Sequence, residues 1–308
     1  MGWAFVVAVI TIEIVLSREL PGRFFSHEVD RKLYDIDHTA DDADILFIGD
    51  SVGAALVESA SKKMQGIGVW GHLTTNQVIE MAGNYYLVKR YLRAHKSPVA
   101  VIFVGGVPES VSLDQISNEN FIQRCFLRWE EIAELTYYKG LRFGCVMLVH
   151  KLLPSYRYRY HLQKKIAGFT NASIYDGLMR EKAADRGARG PGGGFRLDGS
   201  LYEVYFKKLL GLLSKEDIDF YYILPPVSSA RWDRDKERYG AMELFWVKYR
   251  REYPAFRYYG ELIKYPDDCF KKDQIHLKGV GSFLATKYLI DHITRIEMSL
   301  IKRRAQPL

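Results

Sequence analysis

Three short apolar runs stand out along the chain, each bounded by charged or turn-forming residues. "ILFIG" (Ile45–Gly49) follows the acidic stretch "DHTADDAD", "VAVIFVGG" (Val99–Gly106) ends in paired glycines, and "IDFYYILPP" (Ile218–Pro226) is stopped by two prolines. Short runs without polar alternation are what strands buried on both faces look like, and the Gly and Pro stops favour strand over helix. "GIGVW" (Gly66–Trp70) and "FRYYG" (Phe256–Gly260) are two further candidates. Between these runs the period changes to that of helices. "TTNQVIEMAGNYYLVKRYLRAHK" offers Thr75 as an N-cap, spaces Val78, Met81, Ala82, Tyr85 and Tyr86 at helical intervals, and gathers Lys and Arg toward its C-terminal end. "SLYEVYFKKLLGLLSKE" and "GVGSFLATKYLIDHITRIEMSL" follow the same period. Strands alternating with helices imply βαβ units. The expected fold class is therefore α/β, a three-layer α/β/α sandwich with a mostly parallel, flavodoxin-like sheet of about five strands.

Two regions depart from this rhythm. The first is the N-terminus, where "WAFVVAVITIEIVL" (Trp3–Leu16) is apolar except for Thr11 and Glu13. It is shorter than a full membrane span, and its one carboxylate is costly in hydrocarbon. Arg18 and Arg23 follow it and no cation precedes it, which argues against export of the remainder. Residues 1–20 read as a membrane anchor or signal-anchor, with a buried first helix as the alternative. The second region is an insertion at about residues 114–200 within a principal domain of 40–300. It holds the aromatic and basic "YRYRYHLQKK" (Tyr156–Lys165) and the Gly-rich "DRGARGPGGGFRLDGS" (Asp185–Ser200), a loop or linker. Alternating Tyr and Arg can stack on and neutralise a polyanion, but a solvated helix face is the commoner outcome, so nucleic acid is not the expected partner.

Composition narrows the picture. A 308-residue chain with 48% hydrophobic and 26% charged residues can bury a large core. Its net charge of +7 and pI near 9.1 suit anionic partners without saying anything about fold. Cys125, Cys145 and Cys269 form no CxxC pair, so they suggest buried or inert thiols rather than a disulfide framework or zinc knuckle. Phosphate-loop, dinucleotide and HExxH motifs are missing, and no cofactor or metal is expected. His72, His150 and His161 are isolated. Asp50 stands where a phosphoryl-accepting aspartate stands in some α/β proteins, but it lacks neighbouring acids to hold Mg²⁺.

The chemistry concentrates elsewhere. Directly after the first strand comes "GDSVG" (Gly49–Gly53), where a glycine allows a sharp turn and Ser51 then stands at the C-terminal edge of the sheet. Backbone N–H groups of the following helix can face a developing oxyanion there. Taken alone, the tripeptide also suits an ordinary turn. A serine nucleophile needs a base, and the base an orienting partner. In "DDCFKKDQIHLKGVGSFLATKYL", Asp273 and His276 are three residues apart, just before the last long helix. That spacing lets the carboxylate curl back toward the imidazole.

The order Ser51, Asp273, His276, with the serine after the first strand and the D-x-x-H before the final helix, resembles the SGNH (GDSL-type) hydrolase superfamily. The resemblance makes Ser51 the nucleophile and a backbone oxyanion donor, His276 the general base and Asp273 the orienting acid. "GIGVWGHLTTNQV" is similar to the family's second block, whose glycine donates a backbone N–H to the oxyanion; Gly71 is the matching position. The third block departs: "IFVGGVPES" has Val107 where the family carries an asparagine donor. Loss of one such donor costs roughly a hundred- to a thousandfold in rate. Thr74 and Asn76 are the nearest replacement donors, although Asn76 also suits the first turn of its helix. Divergent envelope members of the superfamily, which modify exported polysaccharides or teichoic acids, share the apolar N-terminus, a "NYYLVKRYL"-like helix (Asn84–Leu92) and an atypical third block; that helix is equally explained as an amphipathic one. The resemblance implies a serine esterase or O-acyltransferase acting on an acyl ester or glycan substrate. The implied setting is membrane-anchored, periplasmic or otherwise in the cell envelope, with the cytoplasm as the alternative. A degenerate scaffold of such a system is the competing expectation.

Overall fold

A computed structural model describes residues 7–8, 10–15, 28–38, 41–64, 68–75, 80–106, 127–153, 197–259, 263–272 and 274–304. The chain divides into two compact units, one of Met1–Arg31 with Ser117–Gly194 and the other of Lys32–Ile116 with Phe195–Leu308. The insertion expected at 114–200 falls largely within the first.

In the larger unit, α1 (Glu28–His38, whose start belongs to the other unit) leads into β1 (Ile45–Gly49), α2 (Ser51–Ser61), β2 (Trp70–His72), α3 (Glu80–Ala94) and β3 (Ala100–Val104). In the smaller unit, α4 (Trp129–Lys139) packs against α5 (Leu141–Leu152). The larger unit resumes with α6 (Leu201–Lys215), β4 (Asp219–Ile223), β5 (Val227–Ser228), α7 (Ser229–Glu252), β6 (Phe256–Tyr259), β7 (Lys264–Tyr265), a 3₁₀ turn (Asp267–Cys269) and α8 (Gly279–Arg304).

Among the described residues, five strands form one parallel sheet in the order β2-β1-β3-β4-β6, and β5 and β7 pair in parallel beside it. This is the flavodoxin-like doubly wound order, as the alternation of strands and helices predicts. All residues of β1, β3 and β4 are buried, which is why these strands carry apolar runs rather than alternation. Side chains still alternate between two layers. Ile45, Phe47, Ile102, Val104, Tyr221 and Ile223 meet α2 and α8 through Leu56, Val57, Ala285, Leu289 and Ile293. On the other face, Phe220 and Tyr222 meet α6 and α7, with ring centroids 6.2 Å apart for Phe206–Phe220 and 4.5 Å for Tyr222–Trp246. Ser200 caps α6 through a 3.2 Å bond from Glu203 N.

Three expectations need adjustment. β2 lies at Trp70–His72 rather than within Gly66–Trp70, because pairing with Ile45–Phe47 fixes its position. Cys269 is half-buried, and Cys145 is exposed on an apolar stripe of α5 beside Leu141 and Leu148, so of the two alternatives, buried or inert, burial does not hold at Cys145. Helix α7, with Tyr239, Met242, Trp246 and Tyr249 turned inward, has no counterpart among the predicted helices. Residues 10–15 are helical with most of their apolar side chains exposed; among the described residues, no helix is long and apolar enough to cross a membrane. The Tyr156–Lys165 stretch and most of the Gly-rich segment lie outside the described residues.

Candidate active site at the edge of strands β1 and β3

In the strand order found here, successive connections leave β1 on one side toward β2 and return to β3 on the other. The C-terminal ends of β1 and β3 therefore flank a crevice, the place where open α/β sheets bind ligands. Ser51 is delivered to this edge by a tight turn. Gly49 has φ +146°, and a Cβ there would lie 2.0 Å from Val104 O, so only glycine lets β1 pass so close to β3 and turn at once into α2.

Asp50 then caps the helix. Its Oδ1 accepts from Val52 N at 3.0 Å and Gly53 N at 3.2 Å, and its Oδ2 accepts from Gly106 N at 3.0 Å, just beyond β3. One buried carboxylate thus joins the two turns that form the crevice. Burial raises its pKa, opposed by these three N–H groups and by the nearby His276. Both carboxylate oxygens are engaged by backbone N–H groups, so Asp50 serves here as a cap and bridge. This bridging role was missed in the sequence, although an Asp directly before a helix is a recognised cap signal.

His276 reaches the same point from the other end of the chain. Phe270 and Leu277 form an antiparallel bridge, Lys271 N donates to His276 O at 2.7 Å and Gln274 N to Lys271 O at 2.9 Å, closing a short loop ahead of α8. The loop presents His276 Nε2 3.0 Å from Ser51 Oγ, across a sequence separation of 225 residues. With the proton on Nδ1, Nε2 accepts the hydrogen bond that Ser51 donates, the arrangement in which an imidazole can take up the serine proton. Asp50 uses the Val52 and Gly53 N–H groups; among the described residues, the Ser51 N–H has no acceptor and stands at the N-terminus of α2. A developing oxyanion could be met there.

The other predicted site residues are placed differently. Gly71 pairs with Leu46 in the middle of β1, three positions before Gly49, about 10 Å short of the edge. A Cβ at Gly71 would meet Leu46 Cδ1 at 2.7 Å and Ala43 Cβ at 2.9 Å, so packing accounts for the glycine, and its N–H is too low in the sheet to meet an oxyanion formed at Ser51. Level with the edge are Thr74 and Thr75, both buried: Leu73 N donates to Phe47 O at 2.8 Å and Thr75 N to Gly49 O at 3.3 Å. Asp273, Asn76 and Val107 lie outside the described residues. His72, stacked on Phe47 and half-buried, has its pKa lowered to about 4 by burial and by Lys32, which keeps it neutral at pH 7.

No protein-family profile matches the chain, and no curated protein does. Among solved structures it is similar to a provisionally assigned platelet activating factor from Streptococcus pneumoniae, at 13% identity and a TM-score of 0.37, over 93% of this chain and 98% of that one.

Proposed function

We infer that this chain is a serine esterase or O-acyltransferase of the SGNH type, working through an acyl-Ser51 intermediate. The observation that carries this reading is the 3.0 Å contact between Ser51 Oγ and His276 Nε2 at the crevice between β1 and β3. His276 takes the Ser51 proton as Oγ attacks the acyl carbonyl, and the resulting oxyanion faces the Ser51 N–H. The tetrahedral intermediate collapses as His276 returns the proton to the leaving alcohol. Water or a sugar hydroxyl, deprotonated by the same imidazole, then releases the acyl group. Asp273 is the proposed orienting acid, and Thr74 the candidate for a further donor at the edge. The apolar N-terminus favours an envelope setting and an acyl ester of an exported glycan.

A second reading rests on Val107: a domain without the expected asparagine donor serves as a scaffold or binding component of such a system. Reaction with a fluorophosphonate separates the two. The enzyme reading expects covalent labelling of the full-length protein, lost in Ser51→Ala and His276→Ala, together with hydrolysis of a short-chain p-nitrophenyl ester by the unsubstituted chain. Absence of labelling in the folded protein leaves the scaffold reading.

A further inference from the structure

The loop that carries His276 is short and turns through Gln274 at φ +56°, a conformation that costs a residue with a side chain. Something must hold it where the imidazole meets Ser51. Three contacts tie the segment leading into this loop to β5 and the start of α7. Val227 N donates to Ile263 O at 2.9 Å, Ser229 Oγ to Tyr265 O at 3.2 Å, and Ala230 N to Asp267 Oδ1 at 3.0 Å. A fourth reaches the loop itself: Arg234 Nη1 donates to Gln274 Oε1 at 3.4 Å, two residues before His276. An arginine only donates, so the amide atom facing it must be the oxygen, and the contact fixes which way Gln274 points.

Arg234 is in turn aimed by Asp235. This carboxylate is buried, accepts from Arg234 Nε at 3.3 Å and Nη2 at 3.2 Å, and faces Arg238 Nη1 at 3.6 Å through its other oxygen. The backbone of Asp235 leaves helical geometry, with φ −111° and ψ 18° inside α7. The kink occurs where the helix would otherwise run on regularly, and two donors on one edge of the guanidinium hold its remaining nitrogen toward the loop. A planar fork suits this task, since two of its donors can be fixed while a third points elsewhere.

We propose that Arg234, oriented by Asp235 and acting through Gln274, is a positioning residue that keeps His276 in register with Ser51. The proposal rests on the serine-nucleophile reading and deepens it. Misplacement of a reacting group by about 1 Å can cost on the order of a hundredfold in rate, so the loop matters even though Arg234 does not itself meet the reacting atoms.

The test measures the second-order rate of Ser51 labelling by a fluorophosphonate across pH, in the full-length protein, for Arg234→Ala, Arg234→Lys, Gln274→Ala and the double Arg234→Ala/Gln274→Ala. The expectation is a roughly ten- to hundredfold fall for Arg234→Ala, with a displaced pH midpoint, because the imidazole loses its fixed environment. Gln274→Ala should fall similarly, and the double variant should be no slower than the worse single one, since both remove the same tether. Arg234→Lys should recover part of the rate by restoring one donor. Gln274→Ala removes only a loop side chain, so it serves if Arg234→Ala folds poorly. Rates and pH midpoints within twofold and a few tenths of a unit of the parent, or additive losses in the double variant, overturn the proposal while leaving the serine reading intact. A parent protein that labels no faster than Ser51→Ala overturns both.

Discussion

The two faces of the central sheet are built from different materials. One face is largely aliphatic: Ile45, Ile102, Val104 and Ile223 against Leu56, Val57, Ala285, Leu289 and Ile293 of α2 and α8. The other is aromatic and threaded with hydroxyls, with Tyr86 Oη 2.7 Å from Tyr205 Oη, Tyr202 Oη 3.3 Å from Tyr222 Oη, and the Tyr249 hydroxyl on the Glu203 carboxylate. The aliphatic face carries both halves of the candidate site, since Ser51 begins α2 and His276 lies just ahead of α8. Small and branched side chains let these two helices pack closely, and that packing brings their N-terminal ends to one edge. The aromatic face fixes its helices with directional polar contacts and holds no part of the serine–histidine pair.

The sharpest contrast comes from one large truncation on each face. Leu289→Ala should cost about 2–5 kcal/mol and Phe206→Ala about 3–5 kcal/mol in chemical denaturation, both sites being fully buried. Their effects on Ser51 should differ. At temperatures where both variants remain folded, Leu289→Ala should slow fluorophosphonate labelling by shifting α8 against α2, whereas Phe206→Ala should leave labelling near the parent rate. Equal slowing by both would show that the two faces are not separable.

Asp50→Asn removes the link between the crevice walls. An amide can accept on one side only, so its NH₂ must face either Gly106 N–H or the first-turn amides of α2, leaving a buried donor opposed by a donor. About 2–3 kcal/mol of stability should be lost, and labelling of Ser51 should fall with it. A variant that denatures like the parent would mean that Asp50 does not bridge β1 and β3 as the three distances indicate.

Comparing the faces also shows where sequence was informative. β1, β3 and β4 were legible because strands buried on both sides are apolar throughout and end at Gly or Pro. Ser51 and His276 drew attention by their order along the chain, one after a strand and one before the last helix, although each motif alone also suits an ordinary turn. The misplacement of Gly71 has a different cause: "GIGVWGH" does not reveal that Trp70 pairs with Ile45, and that register alone sets how far the glycine stands from the edge. Nor could "RWDRDKER" (Arg231–Arg238) announce a tether to Gln274, since charged residues on a helix usually face solvent. Contacts across long sequence separations are what pattern reading leaves out, and the polar contacts of the aromatic face are mostly of that kind.

On the aromatic face, Glu203 gives a pH-dependent test. Burial raises its pKa, but the Tyr249 hydroxyl, the Gly199 N–H at 2.6 Å and the Lys207 ammonium at 3.3 Å outweigh burial and hold it at about 2. A carboxylate depressed on folding stabilises the protein fully above its unfolded value near 4.5, and the contribution fades as pH falls from there toward about 2. Glu203→Gln should therefore destabilise by about 1.5–3 kcal/mol at pH 7 and by much less near pH 2.5. His72, on the edge strand, gives an adjoining window. Its pKa of about 4 lies below the ordinary 6.5, so the unfolded chain binds the extra proton and stability drops between those values as pH falls. A His72→Phe curve that lacks the parent's fall between pH 6.5 and 4, beside a Glu203→Gln curve offset from the parent above pH 4.5 and converging on it below, would separate the two contributions.

The smallest effect falls on the Tyr86–Tyr205 pair. Both rings are buried, with centroids 5.4 Å apart in an edge-to-face arrangement, so most of their contribution is area and ring packing, which Tyr205→Phe preserves. Only one hydroxyl is removed. Loss of the Tyr86–Tyr205 hydroxyl contact should cost about 0.5–1.5 kcal/mol, and Tyr86→Phe/Tyr205→Phe together should cost little more than either alone, because both remove that same contact. Neither variant should change the rate at which Ser51 reacts. A measurable slowing would mean that the hydroxyl network, and not the aliphatic packing of α2 on α8, sets the geometry of the crevice.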